Sequence, residues 1–110
     1  MKLAIIGSRN LTISNLQEHL PSDVEEIISG GAKGVDTSAK EYAIAHNLKL
    51  TEFLPNYAHY KRGAPLKRNL EIIDYADFVL IFWDGRSRGT QFVIQSCQKI
   101  NKPYKLIKQP

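Results

Sequence analysis

Residues Phe78–Trp83 read FVLIFW, the longest uninterrupted apolar run of the chain. A short run without any polar residue is typical of a strand that is buried on both faces of a parallel sheet. Because it is the most apolar of the strand patterns, we expect this strand near the centre of the sheet. The run is far too short to span a membrane, so no membrane association is expected.

Outward from this strand, strand patterns alternate with helical patterns along the chain. The predicted strands cover residues 3–6, 24–29, 48–54, 77–83 and 104–107. Three predicted helices cover residues 12–20, 35–46 and 90–101. A polar connection, residues 57–65, leads to another predicted helix, whose apolar stripe is Leu66, Leu70, Ile73 and Ala76. Strict alternation indicates a single three-layer α/β domain over residues 1–110, with a five-stranded parallel sheet of order 3-2-1-4-5.

The composition is typical of a globular protein, because 43% of the 110 residues are hydrophobic and 24% are charged. A single cysteine, Cys97, excludes an intramolecular disulfide and a multi-cysteine zinc site. The sequence has no metal-binding pair, so we expect neither a metal nor another cofactor. The apolar start of the chain stops at Gly7, which is too early for a signal peptide. We therefore expect a cytoplasmic protein.

The net charge of +4 comes from the second half of the chain. Residues 1–54 carry five basic and seven acidic side chains, whereas residues 55–110 carry ten basic and four acidic ones. Lysines are spread over the chain, but all the arginines fall in or beside loops that follow predicted strands. They are Arg9, Arg62, Arg68, Arg86 and Arg88. Because a guanidinium group pairs with two phosphate or carboxylate oxygens, their position favours an anionic ligand at that edge.

Ligands of such sheets bind outside the carboxyl ends of the strands, where the strand order reverses. Here that crevice lies between the loops after the first and fourth strands. Five of the seven glycines lie in two loops of this edge, residues 29–36 and 84–90, each just before a helix. Glycine lets the backbone approach a phosphate, and a helix N-terminus adds partial positive charge. A tight strand-to-helix turn alone also explains a glycine here.

These loops supply the candidate site. The candidate ligand-binding residues are Gly7, Ser8, Arg9, Gly30, Gly31, Ala32, Gly34, Asp36, Arg68, Asn69, Asp84, Gly89 and Thr90. We expect Arg9 and Arg68 to pair with phosphate oxygens, and Asp36 or Asp84 to accept a ribose hydroxyl. The same two carboxylates are the candidates for a catalytic group. Asp36 and Thr90 also have structural explanations, as a favourable charge and a cap at helix N-termini.

These loops, in this order, resemble the SLOG superfamily of Rossmann-like nucleotide-binding proteins, and within it the small YspA- and YpsA-related proteins. The resemblance rests on Gly7-Ser8-Arg9, on residues 29–36 (SGGAKGVD), on residues 63–69 (GAPLKRN) and on Gly89-Thr90. It covers essentially the whole chain. It implies a Rossmann-like fold that binds a small nucleotide or a nucleotide-derived ligand, such as an ADP-ribose-like molecule or a nucleoside phosphate. This binding function is our leading hypothesis.

A more distant resemblance to the lonely-guy phosphoribohydrolases implies an enzyme that cleaves the N-glycosidic bond of a nucleoside monophosphate. Those enzymes carry a catalytic glutamate where this chain has Val93. Since a valine transfers no proton, such a reaction would need Asp36 or Asp84 instead. The sequence therefore leaves open whether the chain is an enzyme.

A third hypothesis comes from the DNA-processing protein A (Smf) family, which has a similar Ser-Gly-x-Ala-x-Gly-x-Asp segment and a later Arg-Asn. That resemblance implies a nucleic-acid partner, with single-stranded DNA bound across the basic edge. Trp83, Tyr57 or Tyr60 would then stack on bases while basic side chains follow the phosphates. Relatives of this fold often form dimers, so a homodimer is also an open alternative.

Overall fold

Five parallel strands form one sheet in the computed structural model, which describes residues 1–109. They are β1 (Lys2–Gly7), β2 (Glu26–Ser29), β3 (Lys49–Glu52), β4 (Phe78–Trp83) and β5 (Tyr104–Lys108). Their order across the sheet is β3-β2-β1-β4-β5, and every neighbouring pair is parallel. The predicted α/β fold with a five-stranded parallel sheet of order 3-2-1-4-5 is confirmed.

Strands β1 and β4 lie side by side near the centre of the sheet. Their register runs from Leu3 opposite Phe78 to Gly7 opposite Phe82. The interior residues of both strands are buried, whereas the edge strands β3 and β5 are partly exposed. This burial explains the continuous apolar runs of the sequence, because a strand covered by helices on both faces needs no polar side.

Helices cover both faces of the sheet. The helices of the described residues are α1 (Val35–Ala45), α2 (Tyr57–Tyr60), α3 (Ala64–Tyr75) and α4 (Arg88–Ile100). Helices α1, α3 and α4 cover the sheet, whereas α2 is a single exposed turn. Successive strand residues point to opposite faces, so Leu3 and Ile5 pack with α1 while Ala4 and Ile6 pack with α3 and α4. The result is a three-layer architecture. Over residues 1–109, no helix has the length and apolar character needed to cross a membrane.

The predicted helix at residues 12–20 is wrong. This segment is mostly irregular and contains one 3-10 turn, Leu16–His19. Its residues Ile13 and Leu16 are buried, together with Leu11 just before it, and all three pack in the apolar cluster that contains α1. The backbone N–H of Ile13 donates to the hydroxyl of Ser38 in α1 at 3.0 Å. The segment is therefore stabilised by packing on α1 and not by helical hydrogen bonds.

The connection predicted as irregular at residues 57–65 is largely helical. Helix α2 is a single turn, and its N-cap Asn56 accepts a hydrogen bond from the backbone N–H of His59 at 3.2 Å. A 3-10 turn (Lys61–Gly63) leads directly into α3, whose first turn holds Pro65. Proline is well accommodated there, since its missing N–H would have had no helical partner. Because every residue of α2 is exposed, the sequence carries no apolar pattern to indicate it.

Helix α3 buries only the second half of the predicted apolar stripe. Ile73 and Ala76 are buried, whereas Leu66 and Leu70 are 40% and 42% exposed. Arg68 and Asn69 are buried in their place, on the same face as Ile73. The N-terminal half of α3 thus brings two polar side chains into the interior at the carboxyl edge of the sheet, which is where a ligand is expected.

Candidate functional site

Two adjoining cavities lie at the carboxyl edge of the sheet, with volumes of about 400 Å³ for the inner one and about 460 Å³ for the outer one. Arg9, Ala32 and Arg68 line both cavities, which therefore form one continuous groove. The inner cavity is also lined by Ile6, Gly7, Asn10, Asp36, Pro65, Leu66, Asn69, Ser87, Gly89 and Thr90. The outer cavity is also lined by Gly31, Lys33, Pro55 and Tyr57.

Ser8 joins the loops that follow the two central strands. Its backbone N–H donates to the carbonyl oxygen of Phe82 at 3.1 Å, and its hydroxyl oxygen accepts from the backbone N–H of Asp84 at 3.2 Å. Ser8 is buried by these contacts, whereas the next residue, Arg9, is exposed. The chain therefore turns sharply after β1 and presents the Arg9 side chain to the groove.

Gly34 allows the loop after β2 to touch the loop after β1. It precedes α1 with a φ of +72°, and a Cβ built on it would lie 2.7 Å from the carbonyl oxygen of Ser8 and still nearer to the carbonyl oxygen of Arg9. A side chain at this position would be strained in its backbone and would also collide with the neighbouring loop. This close approach packs the two loops that supply Arg9 and Ala32 to the groove.

Arg68 ties the N-terminal half of α3 to two other loops. Its Nη1 donates to the carbonyl oxygen of Gly30 at 2.5 Å and, more weakly, to that of Phe53 at 3.4 Å. Its Nε donates to Oδ1 of Asn69 at 2.8 Å. Burial lowers the pKa of Arg68, while the nearby carboxylate of Asp36 raises it. These contacts fix the guanidinium in the wall shared by both cavities and leave Nη2 without a hydrogen-bond partner among residues 1–109.

Asp36 is the carboxylate of the groove. It lies in the first turn of α1, and its Oδ2 accepts a hydrogen bond from the backbone N–H of Ala32 at 3.0 Å. Burial raises the pKa of Asp36, against the opposing effects of that hydrogen bond and of the nearby Arg68 and Arg9. Among the described residues that line the groove, Asp36 is the single acid beside three cations, the third being Lys33.

Asp84 organises the loop before α4. Its Oδ1 accepts from the backbone N–H groups of Arg86 and Ser87, both at 2.8 Å, and these bonds lower the pKa of the carboxyl. The Ser87 side chain in turn caps α4 by accepting from the backbone N–H of Thr90 at 3.3 Å. Asp84 is not among the described residues that line the groove, so its visible contacts are those of a loop-forming residue.

The structure brings most of the predicted site residues together. The groove is lined by Gly7, Arg9, Gly31, Ala32, Asp36, Arg68, Asn69, Gly89 and Thr90. The predicted residues that are not among its described lining are Ser8, Gly30, Gly34 and Asp84, which instead connect the loops. For both groups, a role in ligand binding stays a prediction.

The sequence-based prediction omits several residues of the groove wall, namely Ile6, Asn10, Lys33, Pro55, Pro65, Leu66 and Ser87. Lys33 lies inside the glycine-rich segment and Asn10 directly follows Arg9, so proximity to the motifs could have indicated both. The helical spacing of Leu66 predicts a core residue. No pattern in the sequence distinguishes it from a core leucine.

The aromatic candidates differ in their accessibility. Tyr57 is 55% exposed and lines the outer cavity. Tyr60 is exposed as well, with the ring of His59 packed edge-on against it. Trp83 is only half-buried, yet its indole N–H donates to the carbonyl oxygen of Ser87 at 3.0 Å and its ring packs against the apolar core. Of the three aromatic candidates, Tyr57 is therefore the one that both lines the described groove and is exposed.

Val93, at the position of the hydrolase glutamate, is fully buried in the apolar cluster under α4. It lies beside Cys97 in that cluster, and burial raises the pKa of the cysteine thiol to about 11. Neither residue is available for chemistry in the groove. Residues 1–109 contain no group of three or more His, Cys, Asp or Glu side chains placed to hold a metal ion.

Comparison with known proteins gives structural neighbours only. No protein-family model matches the chain, and no curated protein matches it. A solved structure of DNA processing protein A from Helicobacter pylori, described for its single-stranded DNA binding mode, matches 100% of this chain with a TM-score of 0.77 and 27% identity. DNA processing protein A from Streptococcus pneumoniae matches 99% of it with a TM-score of 0.75 and 19% identity.

Both neighbours have a Rossmann-like fold, which this chain shares. The chain spans 66% of the Helicobacter pylori chain and 50% of the Streptococcus pneumoniae chain, less than two thirds of either. At 19% identity the second likeness concerns the fold alone. The match to the Helicobacter pylori protein covers 100% of this chain, including all the loops that form the groove.

Proposed function

We propose that this chain binds single-stranded DNA along the groove at the carboxyl edge of its sheet. The observation that carries the proposal is the continuity of the inner and outer cavities across Arg9 and Arg68. Proteins that bind single strands combine a basic groove, which follows the phosphates, with aromatic side chains on which bases stack. The likeness to a protein described for single-stranded DNA binding supports the same reading.

The charges along the groove suit a polyanion. Arg9 and Lys33 are exposed and free to follow successive phosphates. Arg68 is held by its hydrogen bonds, so its guanidinium loses little conformational entropy when it pairs with a phosphate. The one carboxylate of the described wall, Asp36, is buried and faces two arginines. The accessible rim of the groove is therefore positive.

Tyr57 completes the pattern at the outer end of the groove. Its ring is 55% exposed, and the helical turn that carries it, α2, has only exposed residues. Stacking a base on an exposed ring is favourable for every base, by about 1–3 kcal/mol. Binding through Tyr57 and the phosphates would therefore tolerate any sequence.

The test is a titration of a fluorescein-labelled oligothymidylate by fluorescence anisotropy, repeated from about 50 to 200 mM salt. We expect the affinity to fall steeply with salt. Arg9→Ala and Lys33→Ala should weaken binding and each reduce the slope of log K against log salt by about 0.7, the value for one phosphate of a single strand. Tyr57→Ala should weaken binding while leaving the slope unchanged.

Lys105→Ala is the matched control, because it removes the same charge from an exposed position of the edge strand β5. It should leave both the affinity and the slope near those of the unmodified chain. Equal losses for Lys105→Ala and Arg9→Ala would mean that net charge alone holds the strand, and the proposed groove would then be wrong.

A compact nucleotide-derived ligand is the second candidate, and the inner cavity favours it. Its volume of about 400 Å³ falls within the range of small-molecule sites, about 300–1,000 Å³, and several of its wall residues are buried polar side chains. A thermal-shift panel of mononucleotides, dinucleotides and ADP-ribose tests this reading. Stabilisation by one of them that Arg68→Ala abolishes, together with an affinity for oligothymidylate that does not increase with its length, would favour the small ligand.

A further inference from the structure

We propose that the outer edge of β5 is a docking site for an extended acidic segment of a partner protein, which adds to the sheet as a further strand. This site is separate from the DNA groove proposed above, because β5 borders the sheet at its side whereas the groove lies at its carboxyl edge. Two features of β5 point to such a partner: backbone groups that no neighbouring strand uses, and a uniformly positive charge around them.

Strand β5 pairs with β4 on one side, and no other strand of residues 1–109 pairs with its second side. The ladder begins with the backbone N–H of Val79, which donates to the carbonyl oxygen of Pro103 at 3.0 Å. Since every second residue of a parallel strand bonds to the same neighbour, the N–H and C=O groups of Tyr104, Leu106 and Lys108 point away from β4. An unpaired strand edge of this kind is a template for another extended chain.

The part of the chain that contains β5 is purely basic. Residues 85–110 carry six basic side chains and no acidic one, whereas residues 1–84 carry nine basic and eleven acidic ones. On the strand itself Lys105 and Lys108 are exposed, and successive strand residues point to opposite faces. One ammonium group therefore lies on each face of the edge, with the 40% exposed Leu106 between the two lysines. Because opposite charges across two strands are favourable, this edge favours an acidic strand over a neutral one.

The same charges argue against the other occupants of the edge. Lysine on an edge strand discourages pairing with a second copy of the chain, since the lysines of both strands would face one another. A nucleic-acid backbone would pair with the lysines but offers no N–H donors to the free carbonyl oxygens of β5. The opposite edge strand, β3, is shorter and has mixed charge, with Lys49 and Glu52 both exposed. An acidic peptide on β5 is thus the occupant that uses both the charges and the backbone groups.

The spacing of the lysines predicts the sequence of the partner segment. Lys105 and Lys108 are three positions apart, so a strand that pairs with β5 needs acidic residues three positions apart to face both of them. The two residues between these acids lie opposite Leu106 and Ile107, where apolar side chains are favoured. This pattern is the same for a parallel and an antiparallel partner strand.

The probe is a fluorescein-labelled peptide of sequence Thr-Thr-Glu-Val-Val-Glu-Thr-Thr, titrated with the full chain by anisotropy at about 50 mM and about 200 mM salt. We expect binding that weakens as the salt concentration rises. The same peptide with both valines N-methylated keeps its charges but lacks the N–H group that pairs with β5. It should bind about fivefold or more weakly, the effect of one unmatched hydrogen-bonding group. Equal affinities for the two peptides, or no binding of the unmethylated one, would overturn the proposal.

Leu106→Pro removes one outward N–H group and leaves the ladder with β4 intact, because proline is tolerated on an edge strand where its nitrogen faces solvent. It should keep the circular dichroism spectrum of the unmodified chain and bind the peptide about fivefold or more weakly. Leu106→Val is the control variant, since it retains the N–H group and an apolar side chain, and should bind like the unmodified chain. Should Leu106→Pro lose its native spectrum, the comparison of the two peptides on the unmodified chain still decides.

Each alternative occupant has its own outcome. Oligothymidylate that displaces the peptide and binds weakly to folded Leu106→Pro would assign the edge to nucleic acid. A dimer in analytical ultracentrifugation that Leu106→Pro dissociates would assign it to a second copy of the chain. Either result would overturn the acidic docking site. An affinity for oligothymidylate that Leu106→Pro leaves unchanged would support it and would keep the two sites separate.

Discussion

The guanidinium of Arg68 donates from Nη1 to the carbonyl oxygen of Gly30 at 2.5 Å, joining residues 38 positions apart in the sequence. The contact requires glycine, since a Cβ built at position 30 would lie 2.6 Å from that same nitrogen. The side chain of α3 therefore closes over the backbone that follows β2. This contact converts two separate sequence motifs, the glycine-rich segment and the Arg68-Asn69 pair, into one wall of the groove.

Arg68→Ala should destabilise the fold as well as weaken binding. The substitution leaves the buried carbonyl oxygen of Gly30 and the buried amide oxygen of Asn69 without their donor. Leaving a buried polar group unsatisfied costs about 1–3 kcal/mol, so the free energy of unfolding should fall by about that amount in a urea titration. Arg68→Lys retains the charge but not the planar guanidinium, so its free energy of unfolding should lie between those of the unmodified chain and Arg68→Ala. A loss no larger than that of Arg62→Ala, an exposed arginine, would show that these hydrogen bonds contribute little.

Gly89→Ala separates binding from stability at the N-terminal end of α4. Apart from the neighbouring residues and backbone of its own helix, a Cβ built on Gly89 meets no atom of residues 1–109 within 4 Å, and the residue lies in the first turn of that helix. Alanine is a better helix former than glycine by about 0.8–1 kcal/mol in a helix interior, so the melting temperature should stay constant or rise. Because Gly89 lines the inner cavity, its new methyl group should reduce the affinity of any ligand held there. An unchanged affinity for oligothymidylate would place the bound strand away from α4.

The sequence predicts the sheet well because burial on both faces leaves a clear pattern. The apolar runs of β1 and β4 contain few polar residues, and the alternation of elements restricts the topology to few solutions. The errors concern segments whose structure depends on tertiary contacts. Residues 12–20 form no regular helix because Ile13 bonds to Ser38 of α1, and a partner so distant in sequence leaves no local signal.

The site could be predicted as a set of loops but not as a geometry. Motif position identified Arg9 and Arg68 at the correct edge of the sheet. The apolar stripe of α3 predicts burial correctly at Ile73 but wrongly at Leu66 and Leu70, since helical periodicity counts apolar residues and takes no account of a buried arginine. Arg68 can be buried only because the Gly30 carbonyl and Asn69 satisfy it. That compensation becomes visible only in three dimensions.

Cys97 should be unreactive in the native protein. Its side chain is fully buried, and burial raises the pKa of the thiol to about 11. Since the thiolate is the reactive form, a disulfide reagent at about pH 8, near the pKa of an unperturbed thiol, should modify the folded chain very slowly. Modification should become rapid in urea, with a midpoint that follows the unfolding transition measured by circular dichroism. Fast, stoichiometric labelling without urea would mean that α4 opens frequently on its own.

Asp36 should make the fold less stable as the pH rises. Burial raises the pKa of this carboxyl in the folded chain, so the folded state holds the proton more tightly than the unfolded state. Its stabilising contribution is fully present below the unfolded pKa of about 3.9 and is lost as the pH rises through the raised folded pKa. Urea titrations over this range should show the unmodified chain losing stability relative to Asp36→Asn, which has no proton to release.

Asp84 is the control with the opposite pH dependence, because hydrogen bonds from Ser87 and Arg86 lower the pKa of its carboxyl. Relative to Asp84→Asn, the unmodified chain should gain stability as the pH rises to about 3.9. The same trend for both variants would show that the Asp36 carboxyl is not held in the buried site between the two arginines.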